Sequence, residues 1–471
     1  MRVLKFGGTS VKDPEAIGRL IGIVRTAREG TARDRPDGSG PGPLVVVSAL
    51  SKVTDSLLKI AERATAGEAA AVTELVEGLR RRHHDTLAGV VTDARRQAAV
   101  AAALDAELAE LGTLAHSLSV LREASPRLQD AIAATGELLS SRIVAAALED
   151  AGLPAQWVDA RTVLVTDAAT PAQPNMEATA ARCREQLLPL LAQGAVPVLG
   201  GFIGSTASGV TTTLGRGGSD YSASIFGVGI NAGEIQIWTD VDGMLTADPR
   251  VLDGTRTVPR LSFDEASELA YFGAKVLHPS TIFPAVTKDI PVRILNSQRP
   301  DGPGTLITRA ITPRGDRLAA IACKQPVTVI DIVSTRMLMA HGFLRRLFEV
   351  FERHETAVDV VTTSEVSVSV TIDNNRRLDA IVRDLSTFAD VTTTGDMALV
   401  CAVGETLRTE PALPARVVGA LEGLPIRMVS QAGSRRNVTV VLPHEHLVEA
   451  MRRLHDRFCV STAEPEAVAA R

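Results

Sequence analysis

Six residues near the start of the chain, Lys5-Phe6-Gly7-Gly8-Thr9-Ser10, join a cation, two glycines and two hydroxyls to the end of an apolar run. The pattern suits an anion. Glycines let backbone N–H groups approach closely, and a helix start after them adds a favourable dipole. Lys5 offers a mobile point charge for a phosphate, and Thr9 and Ser10 offer hydroxyl donors. A tight turn that needs left-handed glycines explains the same pair equally well. The spacing is neither Gly-x4-Gly-Lys nor Gly-x-Gly-x-x-Gly. A second cluster, Thr211-Thr212-Thr213-Leu214-Gly215-Arg216-Gly217-Gly218-Ser219-Asp220, sets three glycines around Arg216. A guanidinium can fork onto a carboxylate, which an ammonium cannot. Ser219 and Asp220 also fit an ordinary helix N-cap and first-turn acid.

Three further motifs are weaker singly. Trp238-Thr239-Asp240-Val241-Asp242-Gly243, continuing to Asp248-Pro249-Arg250, ends a strand in polar groups, although Asp-Gly and Asp-Pro are also plain turn chemistry. Phe272-Gly273-Ala274-Lys275-Val276-Leu277-His278-Pro279 holds one of only 7 lysines, against 43 arginines. On its own, Lys275 reads as a surface lysine and His278 as structural. Thr135-Gly136-Glu137 places an acid where a solvated first-turn glutamate is common. No His/Cys spacing suits a protein-held metal, so a metal here is Mg²⁺ carried chiefly by nucleotide phosphates. Two anion nests, one built on Lys and one on Arg, suggest transfer between two anionic ligands. Phosphoryl transfer to a carboxylate is such a reaction, and it depends mainly on positioning and charge neutralisation.

The elements that must hold these groups alternate. Val3–Phe6 reads as a strand and 14–28 as a helix, followed by a loop over 31–43. Leu44–Val47 is a strand buried on both faces, as are the runs at Ala155–Val158, Ala195–Gly200 and Ile235–Thr239. Helical sequence fills 56–122 and 127–151. This order predicts an α/β fold, a mostly parallel sheet with helices on both faces. Proline and glycine cluster at 297–326 and mark a boundary. Beyond it, two successive βαββαβ-like passes predict a pair of small α+β units.

Composition narrows the function. The chain has 471 residues, 45% hydrophobic and 22% charged, with net charge −5. That is ordinary globular composition with no basic footprint for nucleic acid. Aromatics at 3% leave few stacking platforms for single strands. No run approaches the roughly 20 apolar residues of a membrane helix, and no signal peptide is visible. Four scattered cysteines fit reduced thiols in a cytoplasm.

Taken together, KFGGTS (Lys5–Ser10), GFIG (Gly201–Gly204), TTTLGRGGSD (Thr211–Asp220), WTD (Trp238–Asp240), DPR (Asp248–Arg250) and FGAKVLHP (Phe272–Pro279) resemble the aspartate kinases of the amino-acid kinase family. The resemblance covers residue 1 to about 307, and the remainder resembles paired ACT regulatory domains, most like the lysine-sensitive monofunctional type. It implies a three-layer αβα kinase unit over 1–307, a linker over 308–325, and ACT-like units over 326–395 and 396–465, which interleaving would blur. It implies MgATP-dependent phosphorylation of the L-aspartate side chain. By motif match, Lys5 bridges the phosphoryl oxygens with Gly7, Gly8, Thr9 and Ser10, Asp220 orients Lys5, and Arg216 clamps aspartate. Ser48, Thr54, Glu137, Phe202 and Ser219 complete that pocket, with Glu137 on the amino group. Thr239, Asp240, Leu245, Arg250 and Lys275 hold ATP, Leu245 standing where these enzymes carry an aromatic residue. Met337, Gly342, Phe343, Leu344, Asp359, Thr363, Ser364 and Glu365 match an effector site for lysine rather than threonine, with Met339 and Ala340 replacing a polar pair. A homodimer or larger assembly is also implied. Two other readings stand beside it: a sister kinase for glutamate or N-acetylglutamate, and a silent amino-acid sensor.

Overall fold

The computed structural model describes residues 1–33, 40–272, 279–312, 315, 317–334, 341–431 and 433–459. The chain folds as two compact units, Met1–Met244 with Val276–Arg309, and Leu245–Lys275 with Ala310–Arg471. In chain order the strands are β1 (Arg2–Phe6), β2 (Leu44–Val47), β3 (Ala155–Trp157), β4 (Val165–Thr166), β5 (Val196–Gly200), β6 (Ile203–Thr206), β7 (Thr211–Thr213), β8 (Glu234–Thr239) and β9 (Arg260–Ser262). Then come β10 (Val292–Asn296), β11 (Thr305–Thr308), β12 (Ala320–Val333), β13 (Val361–Thr363), β14 (Ser367–Ile372), β15 (Asp390–Val403), β16 (Met428–Ser430) and β17 (Asn437–Pro443).

In the first unit the strands lie in the order β3-β5-β2-β1-β8-β10-β11, with only the β10–β11 pair antiparallel. Every residue of β2 and β5 is buried, as strands covered on both faces must be. The register sets Phe6 beside Val47 and Trp238. The carboxyl ends of β1, β2 and β8 therefore coincide, at the edge where open α/β sheets bind ligands. A separate small sheet, β4-β6-β7, falls in sequence that gave no strand signal.

The helical stretches resolve into Val53–Ala66, Ala69–Val90, Ala94–Leu121 and Pro126–Asp150. Gly67 ends the first in the left-handed region at φ +79°, and Asp93 caps the third by accepting the Arg96 N–H at 2.7 Å. The first helix, Pro14–Arg33, runs further than expected, into the first residues of the expected loop. One helix, Pro126–Asp150, is long and apolar enough to cross a membrane by length and composition, contrary to the expectation above. It is apolar on nearly all sides because it is buried inside the unit, with 89% of its most apolar window covered.

The second unit holds an antiparallel sheet in the order β13-β14-β12-β15-β17-β16. Its two central strands, β12 and β15, are 14 residues long; β12 runs from the expected linker into the first ACT-like unit, and β15 crosses from the first into the second. Ala320–Lys324 pairs with Leu399–Val403, and Val329–Val333 pairs with Asp390–Thr394. The stretch 320–325, expected as linker, is thus strand, and the two units exchange strand segments. Each half keeps its own core, one around Ile330, Leu347, Phe351 and Val368, the other around Ile321, Val400, Val440 and Met451. Ala247 and Leu252 join the latter, and Thr246 Oγ1 lies 2.8 Å from His455 Nε2. These contacts place the start of the stretch 245–272 in the second unit, although the sequence reading assigned it to 1–307.

Candidate active site

Lys5 stands one residue before the end of β1 and is 8% exposed. Its ammonium lies 2.7 Å from Asp220 Oδ1, in the first turn of the helix Gly218–Gly229. The cap of that helix is Gly217 at φ +72°, so Ser219 is not the N-cap, and Asp220 is more than a generic first-turn acid. Gly215 is also left-handed at φ +76°, so Arg216 projects between two positions that glycine alone adopts easily. Arg216 is exposed.

The glycines of the N-terminal motif act differently. Gly7 is extended at φ −70°, so the left-handed turn does not explain it. Its N–H is spent on the Trp238 carbonyl at 3.0 Å, which leaves anion contact to the residues after it. Gly8 is favoured by close approach: a Cβ there would meet the Ala49 carbonyl oxygen at 3.0 Å, a contact tight enough that the neighbour would have to give.

Glu137 is 3% exposed, on the buried helix Pro126–Asp150. Its Oε1 accepts the Ala49 N–H at 3.1 Å, and Oε2 has no hydrogen-bond partner. Burial pushes its carboxyl up to about 8, against the opposing pull of the Ala49 N–H and the Lys5 charge. Phe202 sits in the left-handed region at φ +66°, a conformation that costs a non-glycine residue on the order of 1–3 kcal/mol. Its N–H donates to Ser222 Oγ at 2.9 Å, which helps to hold it there.

A cleft of about 750 Å³ brings together Lys5, Gly7, Gly8, Thr9, Ser48, Thr54, Glu137, Phe202, Arg216, Ser219, Asp220 and Thr239. Ser10 is not on its wall: it is 1% exposed, with its hydroxyl 2.7 Å from Ser297 Oγ. Asp240 is exposed beside Thr239, whose Oγ1 donates to Asp240 Oδ1 at 3.2 Å. Leu245 and Arg250 belong to the second unit, where Arg250 forks onto Asp248 at 2.7 Å and 3.0 Å. Lys275 lies outside the described residues. The sequence reading missed Ser51, Lys52 and Asp55 on the cleft wall. Lys52 carried a signal in the rarity of lysine in this chain; the structure adds that it stands left-handed at φ +66°. Among the described residues no group of three His, Cys, Asp or Glu gathers as a metal would need.

In the second unit, Gly342 at φ +84° opens the helix Phe343–Arg353. The Phe343 ring stands edge-on to Phe388 at 5.8 Å, and Leu344 is 41% exposed. Asp359 is half-buried, with its side chain 3% exposed, and pairs with Lys324 at 2.6 Å, while Lys324 also reaches Asp373 at 2.7 Å. Thr363 ends β13, Ser364 Oγ lies 2.7 Å from Ser367 Oγ, and Glu365 is exposed. Met337, Met339 and Ala340 lie outside the described residues.

The model of the amino acid kinase family matches residues 1–296, and an ACT domain model matches residues 400–458. Aspartokinase 2 of Arabidopsis thaliana, a chloroplast protein, is 36% identical over 97% of this chain and 84% of its own. The chain belongs to the aspartokinases of the amino acid kinase family. Lysine-sensitive aspartokinase 3 of Escherichia coli is 34% identical over 96% of this chain and 98% of its own. Two crystal structures of E. coli aspartokinase III, at 34% identity, share the fold of this aspartokinase chain. One, in complex with lysine and aspartate, has a TM-score of 0.82 and covers 97% of this chain and 99% of that one. The other, in complex with aspartate and ADP, has a TM-score of 0.77 and covers 98% and 100%.

Proposed function

We propose that this chain transfers the γ-phosphoryl group of ATP to the side-chain carboxylate of L-aspartate, giving ADP and 4-phospho-L-aspartate. A carboxylate oxygen forms the new P–O bond as the bond to the ADP leaving oxygen breaks. No general base is needed, because a carboxylate with an ordinary pKa of about 3.9 is already ionised at pH 7. The observation that carries the reading is the single cleft in which Lys5, held on Asp220, shares walls with Arg216 and Glu137. A silent sensor would have no use for that set.

Lys5 would neutralise the charge on the transferring group, with Gly8 and Thr9 beside it and Gly7 and Ser10 shaping the turn. Arg216 would fork onto an aspartate carboxylate, and Glu137 would receive the ammonium on its unpartnered Oε2. Glu137 also separates aspartate from an N-acetylated acid, which has no ammonium to offer. Ser48, Thr54, Phe202 and Ser219 would complete the pocket, and Thr239 and Asp240 would hold the nucleotide, joined on motif grounds by Leu245, Arg250 and Lys275.

The donor set fits a metal that arrives with the nucleotide. Asp220 is committed to Lys5, and the remaining groups suit phosphate better than a bare cation. Mg²⁺ held by the phosphates would supply further charge neutralisation.

Regulation by lysine through Met337, Gly342, Phe343, Leu344, Asp359, Thr363, Ser364 and Glu365, a homodimer or larger assembly, and a cytoplasmic setting complete the proposal. Trapping the acyl phosphate with hydroxylamine tests it. Aspartyl hydroxamate should form only with MgATP and L-aspartate, and lysine should suppress it more than threonine does. Hydroxamate from glutamate but not aspartate would assign a sister kinase instead.

A further inference from the structure

The last residue of β10, Asn296, and the residues that follow it, to Arg299, reach the same sheet edge as the cleft, and no role has been given to them. Two contacts from Ser297 converge on one atom. Its N–H donates to the Thr239 carbonyl at 2.8 Å, and its Oγ donates to the same oxygen at 3.0 Å. Ser297 Oγ also lies 2.7 Å from Ser10 Oγ, and Ser10 Oγ lies 3.3 Å from the Trp238 carbonyl that already accepts the Gly7 N–H. Both serines are buried, at 1% and 4% exposure. Two hydroxyl protons serve these three contacts. With the Ser297 proton on Thr239, the shorter contact gives the Ser10 proton to Ser297, forming a chain from Ser10 through Ser297 to the Thr239 carbonyl.

The flanking residues hold the far end of the same turn. Asn296 Nδ2 donates to Asp242 Oδ1 at 2.8 Å, and Arg299 donates to Asp242 Oδ2 at 2.5 Å. The turn Thr239–Asp242 is therefore gripped at its first and last residues from one segment. Through Ser10 that segment is tied to the glycine turn carrying Lys5.

We infer that Ser297, relayed through Ser10, is a positioning residue for the nucleotide, fixing the Thr239–Asp242 turn against the Lys5–Ser10 turn without touching ATP itself. The inference rests on the proposed assignment of Thr239 and Asp240 to the nucleotide. It predicts an effect that a general brace would not give, because aspartate's groups, Arg216 and Glu137, are bonded to neither serine.

The test is steady-state kinetics of the full chain, with folding checked by circular dichroism. Ser297→Ala should raise KM for ATP about fivefold, the range one lost buried hydrogen bond allows, and leave KM for aspartate within about twofold. Equal shifts in both constants, or an unchanged KM for ATP in a folded variant, would overturn the inference. Should Ser297→Ala fail to fold, Asp242→Ala reads the same clamp from its half-exposed end and must show the same ATP-selective rise. The double variant Thr239→Ala/Asp240→Ala separates the two claims. If it leaves KM for ATP unchanged, the nucleotide assignment fails; if it raises KM while Ser297→Ala does not, only the positioning role fails.

Discussion

Lys5 Nζ and Asp220 Oδ1 lie 2.7 Å apart, joining the end of the central strand β1 to the first turn of the helix Gly218–Gly229. Both side chains are largely shielded, at 10% and 15% exposure, so the pair is held rather than sampled. The carboxylate fixes the ammonium at the mouth of the glycine turn, before any phosphate arrives. Such preorganisation is where charge stabilisation in phosphoryl transfer comes from.

Removing the cation should therefore stop the chemistry. Lys5→Ala should lower kcat by at least about 10²-fold, the scale of losing one preorganised group that meets developing charge. It also strands Asp220, so the melting temperature should fall with the fold kept. Activity near wild type in a folded variant would remove Lys5 from the phosphoryl path.

Arg216 tests the other ligand. The residue stands between left-handed Gly215 and Gly217 and is exposed on the cleft wall. Arg216→Lys keeps the charge and loses the planar fork. KM for aspartate should rise about tenfold, with KM for ATP little changed. A parallel rise in both constants would place Arg216 on the nucleotide.

Glu137 gives a pH dependence whose direction is fixed by burial. Its folded carboxyl titrates at about 8 against an ordinary value of 4.5, so the unfolded chain ionises first as pH rises. Between those values the native state binds the extra proton, and stability falls with pH. Glu137→Gln should flatten that slope in melting curves from pH 5 to 8. Aspartate should reverse the preference for the neutral acid, since its ammonium pairs with the ionised form. Calorimetry near pH 7 in buffers of different ionisation enthalpy should then show proton release on aspartate binding. No buffer dependence would mean that Glu137 does not meet the ammonium.

These sites differ in how far the sequence reveals them. Lys5, Gly8 and Arg216 are legible because type and spacing are local, and short strands such as β2 announce themselves as unbroken apolar runs. Glu137 was visible only by motif, since its state depends on an Ala49 N–H 88 residues away. Ser297 gave no signal: its partners are at Ser10 and Thr239, and serine in a turn is unremarkable by type. Interleaving of the two ACT-like units is implied by the resemblance, but the continuous course of β12 is not legible, because the register shifts between Lys324 and Val329 interrupt the alternation that marks one strand. Of the two readings of Gly7, the left-handed turn does not hold, since its φ is −70°, and a Cβ there would meet only ordinary contacts at 3.6 Å and beyond.

The proposed regulation by lysine would act on a side chain that already has a partner. The Asp359 side chain is 3% exposed and carries a raised pKa from burial, opposed by Lys324 at 2.6 Å. Asp359→Ala should raise the lysine concentration for half-inhibition at least about tenfold, as expected for loss of a charged contact from a binding site. Inhibition curves on the same enzyme preparation with threonine give the control. An unshifted lysine curve would remove Asp359 from the effector site.

Gly201 offers a steric test that adds no charge. A Cβ there would meet Ser219 Cβ at 2.7 Å and Ser219 Cα at 2.8 Å, distances at which something must move. The glycine's own N–H is tied to the Val47 carbonyl at 2.8 Å, so the strand end gives less readily than the start of the helix Gly218–Gly229. Gly201→Ala should push that helix start outward and carry Asp220 away from Lys5. With the role proposed above for the pair, on the transferring group more than on ground-state binding, kcat should fall by about tenfold or more while KM for aspartate changes less. Gly209→Ala is the control for mere glycine loss: it is left-handed at φ +82° with nothing within 4 Å of its Cβ, so it should cost stability and spare kcat. Equal kcat in the two variants would show that the Gly201–Ser219 contact does not set the Lys5–Asp220 geometry.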